Sequence, residues 1–468
     1  MLTLPTPVAT RLWRPLPWLV AGVLTVLYAL LSVTNHLHLG TTGYDLGIFE
    51  QAVRAYSELR APVSDLKGPG YVLLGDHFHP ILVTLAPFYR LFPGPLTLLI
   101  AQAVLLGVSA VPVVRIAQER FGSGLAATVG VAYGLSWGLQ TTVDFDFHEV
   151  VFAVPLLAFA MECLLRQRWT AAVAWAAPLV LVKEDLPLTF AVLGVYLVLK
   201  GQRRPGVWVM VSGVAGFLLI LVVLIPSFNP TGSYDFAHEL GKDEPWWQIM
   251  LDGPERLVAP QEKLFTLSAL LVPTAFLALF SPLALLAVPT LLWRFMSTNS
   301  SYWIIGFHYS AVLMPIMYLA MLDGLGAGRR ILPAPAFLRL RRAVIGISVV
   351  MVIAGLTGEP LAKLTKAATW QPSPRATAAQ QLMDQIPDGA LVAATNNLAP
   401  HLTSRCTVQL FPSVQGRILN PEWIIADRFY TWPVSTTWVT EKLNQLTTTG
   451  YHTVDERGDF ILLHRATT

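Results

Sequence analysis

The chain has 468 residues, of which 54% are hydrophobic and only 13% charged, and its formal net charge is +3. Soluble domains carry about 25% charged residues, so this composition excludes an ordinary soluble globular protein. The apolar runs recur at roughly 15 to 22 residues without alternating, which excludes a transmembrane β-barrel and predicts a polytopic helical membrane protein.

The first apolar run, 17–37, is longer than a signal-peptide core. Asn35-His36-Leu37-His38 is also a poor cleavage site, so the run reads as an uncleaved first helix. A polar loop is expected over 38–78. Residues 80–92 are apolar but short and precede Pro93 and Pro95, which predicts a re-entrant or interfacial helix. Further spans are expected at 96–114, 124–139 and 150–165. The stretch 169–200 has basic residues at both ends and Lys183-Glu184-Asp185 in its middle, as two short crossings with the charges at the turn would have. A span at 206–225 precedes a polar loop, 226–262, whose Trp246 and Trp247 fit an interfacial aromatic belt. Residues 264–280 and 282–295 read as a tight pair, 297–308 as a polar loop, and 309–322 and 343–356 as the last spans. The total is about eleven crossings.

Charge orients this layout. Arg115, Arg120, Arg166, Arg168, Lys200, Arg203, Arg204, Arg329, Arg330, Arg339, Arg341 and Arg342 fall on one side. Asp45, Glu50, Asp76, Asp144, Asp146, Glu149, Glu184 and Asp185 fall on the other. The positive-inside rule then puts the N-terminus in the cytoplasm and the C-terminal tail outside. The arginines serve topology and imply no nucleic-acid partner. The expected division is a transmembrane helical domain, 1–357, with external loops 38–95 and 226–262, and an extracytoplasmic α/β domain, 358–468. In the tail, 390–394 and 459–463 read as strands and 441–448 as a helix. Cys163 and Cys406 lie far apart and lack metal-ligand spacing.

The polar residues of the external loops are the candidates for chemistry. Asp45 stands between Gly43 and Gly47 at the mouth of the first helix. A carboxylate there suits a general base or a metal ligand, and glycines permit close backbone approach to a ligand. The bland reading makes Asp45 a cap for the amphipathic stretch 46–56, with Glu50 inside it. Asp76, His77 and His79 form a cluster suited to a transition metal or a proton relay, or merely an interfacial turn before Pro80. Asp144, Asp146, His148 and Glu149 put four titratable groups in six residues, more than helix capping needs. Lys183, Glu184 and Asp185 stand between apolar runs with no spacer, where charges usually face a cavity or pair locally. A lysine there also suits a phosphate. His308 beside Tyr309 is an interfacial histidine or a further member of the site.

Tyr44-Asp45-Leu46-Gly47-Ile48-Phe49, Gly75-Asp76-His77-Phe78, Phe147-His148 and Lys183-Glu184-Asp185 resemble a family of bacterial polytopic membrane proteins known as a domain of unknown function. The resemblance covers most of the chain, including 386–405 of the tail. That family is similar to the GT-C superfamily of integral membrane glycosyltransferases. The resemblance implies a mainly α, GT-C-like transmembrane bundle in a bacterial plasma membrane. It implies a polyprenyl-phosphate-linked sugar donor used on the extracytoplasmic face, and a cell-envelope glycan or protein as acceptor. It sets Asp45 where GT-C enzymes carry an essential carboxylate in the first external loop. Many of those enzymes have a paired acidic motif there, and Asp45 has no adjacent acid. Metal dependence therefore stays open, with a divalent ion a candidate cofactor and Asp76, His77 and His79 its candidate ligands.

On this reading Asp45, Asp76 and His148 are the catalytic candidates. Tyr44, Glu50, His77, His79, Glu149, Lys183, Glu184, Asp185 and His308 are the substrate-binding candidates, and residues 80–92 lie along the lipid path. Two alternatives remain. One is a transporter or flippase for a lipid-linked or small polar solute. The other is a membrane platform for the tail.

Overall fold

A computed structural model of the chain describes residues 14–240, 246–413, 420–430 and 432–466. Five helices among these are long and apolar enough to cross a membrane: Leu16–Leu37, Pro95–Phe121, Arg203–Phe228, His308–Ile331 and Ala334–Thr357. Shorter apolar helices run over Pro80–Leu91, Trp169–Leu181, Leu186–Leu199 and Pro282–Met296. Backbone satisfaction inside each segment is what lets such runs enter lipid.

The Leu186–Leu199 helix packs closely on the Arg203–Phe228 helix. A Cβ at Gly194 would stand 2.5 Å from the Gly206 carbonyl oxygen, and one at Gly213 2.6 Å from that of Pro187. Small residues at such a seam let two backbones approach, a main source of helix affinity in lipid. The Arg203–Phe228 and Ala334–Thr357 helices are only 22% and 17% buried, so most of their apolar surface faces outward. The His308–Ile331 helix is 78% buried and forms the centre of the bundle.

Several expected spans are divided. The run expected at 124–139 is two helices, Ser123–Gly134 and Trp137–Phe145, separated at Ser136, whose backbone is extended. Gly134 sits there against Leu24, with no room for a Cβ. The run expected at 264–280 is helical only over Gln261–Leu271 and then breaks into short 3-10 turns, with Ala275 and Phe276 at positive φ. The expected 96–114 span continues to Phe121 as two helices, Pro95–Val108 and Ala110–Phe121, that meet at a turn at Ser109.

The tail carries a five-stranded mixed sheet of β1 (Leu391–Ala394), β2 (Thr407–Leu410), β3 (Trp423–Asp427), β4 (Tyr451–Arg457) and β5 (Phe460–Arg465). Its order is β2-β1-β3-β5-β4. β1 runs parallel to β2 and β3, while β5 runs antiparallel to β3 and β4. Gly458, at φ 58°, makes the β4–β5 hairpin turn in a conformation that suits glycine. The helices Pro374–Met383 and Thr436–Thr448 accompany the sheet.

The tail docks onto the first external loop. Asn396 accepts the Gly43 amide on its carbonyl at 2.6 Å and the Tyr44 amide on its side chain at 2.8 Å. Gln51 donates to the Val408 carbonyl, and Arg54 donates to those of Thr403 and Cys406. The rings of His36 and His401 stack at 4.1 Å.

Candidate active site

A cavity of about 740 Å³ opens where the loops meet. Every candidate residue from the sequence except Glu50 and Asp146 lines it. Five loops and the tail supply its walls, so residues from 40 to 432 share one chamber.

Asp45 is held by its surroundings and not by its own helix. The following helix, Ile48–Ser57, receives no side-chain cap from it. Its side chain is 25% exposed, into the cavity, and Oδ2 stands 3.3 Å from Nε2 of His148. The capping reading of Asp45 is therefore excluded. The flanking glycines make room for the protein's own packing: Gly43 for the tail and Gly47 for Leu66 of the same loop. A Cβ at Gly43 would press on Ala399 and Asn396, and one at Gly47 on Leu66.

From Asp45 a line of charged groups runs inward. His148 Nδ1 lies 3.8 Å from Glu149, and Glu149 lies 3.1 Å from Lys183 Nζ. The His308 ring meets the His148 ring with centroids 3.4 Å apart. The Nδ1 atoms of His79, His148 and His308 are buried without hydrogen-bond partners among the described residues.

A second cluster faces the first. His77 Nδ1 is 2.6 Å from Glu184, which also accepts from the Phe78 amide and the Tyr234 hydroxyl. His77 stacks on Phe236. Asp185 accepts from Trp293 Nε1 at 2.9 Å. Lys67 pairs with Asp76 at 3.0 Å.

These partners separate the expected metal ligands. Asp76 turns to Lys67, His77 to Glu184, and His79 packs edge-on against Phe49. Among the described residues no three His, Cys, Asp or Glu side chains form a metal-holding group. The proposed Asp76–His77–His79 ligand set is thereby corrected: each member already has a different neighbour.

The substrate-binding role expected of Glu50 is likewise corrected. Glu50 is fully buried beneath the amphipathic helix, where it accepts from the Tyr89 hydroxyl. Asp146 serves the loop, accepting from the amide and hydroxyl of Thr42. Asp144 pairs with Lys363 and accepts from Asn35. Residues 80–92, expected along a lipid path, do not line the cavity. Phe217 and Leu221, on the outward-facing Arg203–Phe228 helix, form its lipid-side wall. The side chains of Trp246 and Trp247 lie outside the described residues.

Sequence reasoning missed four contributors. Lys67 lies in a long loop with no motif around it, and Tyr430 and Trp432 reach the cavity from the tail. Arg294 is fully buried and donates to the carbonyls of Tyr302, Ile304 and Tyr309 and to the Ser310 hydroxyl. It pins the loop that carries His308. An arginine near the end of an apolar run was the available signal.

The electrostatics divide the acids into two kinds. Burial, reinforced by the Glu149 charge and opposed by Lys67 and Lys183, pushes Asp45 up to about 7. Burial raises Asp185 to about 6. Burial acts the same way on Glu149, but Lys183 and the nearby histidines outweigh it and hold Glu149 well below the usual range. In Glu184, burial is outweighed by His77, its partner, and by Lys183, and the group falls to about 2. Burial lowers His148 to about 3, so it stays neutral. Asp45 and Asp185 are therefore the two carboxylates of this set raised toward neutral pH, and Asp45 is the one that faces His148. A pKa near neutrality is what a general base needs.

Residues 35–462 match the family described as "Predicted membrane protein (DUF2079)". The chain belongs to this family. No curated protein sequence matches it significantly. Its fold is similar to that of ArnT from Cupriavidus metallidurans bound to undecaprenyl phosphate. The TM-score is 0.57 at 16% identity, covering 94% of this chain and 97% of ArnT. The same protein in the apo state gives a TM-score of 0.56 at 16% identity, with 97% of this chain and 98% of that one covered. This DUF2079 chain is thus a multi-pass membrane protein, mainly helical, with a small C-terminal sheet and an ArnT-like fold.

Proposed function

We propose that the protein is an integral-membrane glycosyltransferase that moves a sugar from a polyprenyl-phosphate carrier to a cell-envelope acceptor on the extracytoplasmic face. The observation that carries this reading is Asp45, poised near neutrality in a chamber that also holds Lys67, Lys183 and a lipid-facing wall. The fold relationship to ArnT, with undecaprenyl phosphate bound in that protein, supports the choice of carrier.

In this mechanism Asp45 takes the proton of the acceptor hydroxyl. The hydroxyl oxygen forms a new bond to the anomeric carbon as the bond from that carbon to the phosphate oxygen breaks. The electron pair leaves with the polyprenyl phosphate, whose charge Lys67 and Lys183 neutralise. Neutral His148 orients Asp45. The prenyl chain leaves along Phe217 and Leu221. Tyr430 and Trp432 bring the tail, 358–468, to the acceptor side, and the helical part, 1–357, carries the chemistry. With the five long helices, the short helices Trp169–Leu181, Leu186–Leu199 and Pro282–Met296 and the apolar runs 124–139, 150–165 and 264–280 each crossing once, the total is about eleven crossings with the N-terminus cytoplasmic.

The test is transfer by protein reconstituted in liposomes with polyprenyl-phosphate sugars. Wild type should transfer sugar, and Asp45→Asn should not. Full transfer by Asp45→Asn defeats the assignment. The transporter alternative rests on free charges lining a path, and Glu184 and Asp185 are instead engaged by His77, Tyr234 and Trp293. It predicts vesicle uptake without any change in donor chemistry.

A further inference from the structure

A second cavity, of about 410 Å³, lies at the other end of the bundle. The Leu186–Leu199 helix connects the two: Asp185 precedes it in the first cavity and Lys200 follows it in the second. That separation is about 22 Å at the helical rise per residue, most of a membrane's apolar thickness.

Arg120, Lys200, Arg329 and Arg330 supply the positive charges of this cavity, and Glu119 and Asp323 the negative ones. Both acids are already committed. Asp323 pairs with Arg120 at 3.1 Å and accepts from the Ser281 hydroxyl at 2.8 Å. Glu119 pairs with Arg166, which does not line the cavity. Lys200, Arg329 and Arg330 have no carboxylate partner among the described residues. Arg329 donates to the Arg120 carbonyl, and Lys200 lies over the Tyr196 ring. Three uncompensated cations around one concavity call for an anion of more than one charge, or one with several acceptor oxygens.

The rim indicates where that anion comes from. Phe121, Leu164 and Leu165 line the cavity beside these cations, and Leu199 and Ile331, next to Lys200 and Arg330 in sequence, are 61% and 80% exposed. Trp169 and Tyr196 line the same cavity, as aromatics do at a membrane interface. A ligand seated here would have its charged group in the cavity and its apolar part against these side chains.

We propose that this cavity binds the phosphate headgroup of an anionic phospholipid in the leaflet opposite the active site. It anchors the basic end of the bundle between the Pro95–Phe121, Leu186–Leu199 and His308–Ile331 helices. The site does not depend on the transferase reading.

The test is native mass spectrometry of the full-length protein in detergent, with phosphatidylglycerol and phosphatidylcholine of matched chains. One phosphatidylglycerol should be retained in preference to phosphatidylcholine. Lys200→Gln/Arg330→Gln should weaken retention about fivefold per charge removed. Arg203→Gln/Arg204→Gln, on the same face but outside the cavity, should not. Equal retention of the two lipids, no effect of the first double variant, or an equal effect of the second overturns the proposal. Displacement by millimolar inorganic phosphate also overturns it, in favour of a soluble phosphate. Thermal stabilisation of wild type by phosphatidylglycerol alone gives a reading that needs no variant, and its absence counts against the site.

Discussion

Nε2 of His148 approaches Oδ2 of Asp45 to 3.3 Å, although 103 positions separate the two residues in the chain. Burial keeps the imidazole neutral and raises the carboxyl toward neutral pH. Asp45→Asn is expected to lower kcat about 10²- to 10⁴-fold, the usual contribution of a general base. Single-turnover transfer in liposomes measures it.

The pH dependence follows from the same group. A base works when deprotonated, so kcat/KM should rise with pH through about 7 and then level off. Asp45→Glu should retain part of the rate with a displaced midpoint. A profile flat from pH 5.5 to 8.5 would contradict the role.

Stability should run the other way. The folded pKa of Asp45 is raised above its unfolded value, so its ionisation opposes folding. That cost is absent below about pH 4 and complete above about pH 7. Asp45→Asn is therefore expected to raise Tm at pH 8 and leave it unchanged near pH 4. Thermal unfolding at both pH values checks the sign.

Lys183 compensates Glu149 in a buried setting. Lys183→Met should destabilise by about 3–5 kcal/mol, because it leaves a buried carboxylate alone. Adding Glu149→Gln should recover much of that loss. Denaturation of the single and double variants gives the coupling.

Asn396 acts through the loop that carries Asp45. Asn396→Ala removes the acceptor for the Tyr44 amide and should lower kcat about ten- to a hundredfold with little change in KM. Gly43→Ala, which pushes on Ala399 and Asn396, should give the same pattern. A change confined to KM would instead assign Asn396 to binding.

The long spans were legible because lipid imposes a length and composition that few other environments demand. Asp45 was legible because a lone carboxylate at the end of an apolar run is costly there. The break at Ser136 was not, because it depends on Gly134 meeting Leu24 across more than 100 residues of chain. Lys67 had no local signal. Its meaning comes from Asp76 and from the shape of the chamber. Two apolar stretches of the tail were recognisable as strands, but β2, with buried Gln409 inside it, lacks the apolar signature of a core strand. Glu50 misled because an acid on an amphipathic helix reads as exposed, and only the fold brings Tyr89 to it.

The Asn396 contacts also set an order of events in the life of each molecule. The ribosome completes the loop bearing Asp45 long before it reaches the residue that braces that loop. During synthesis the nascent bundle therefore stands with this loop unbraced, and the brace closes only once the tail that carries Asn396 has been made and folded.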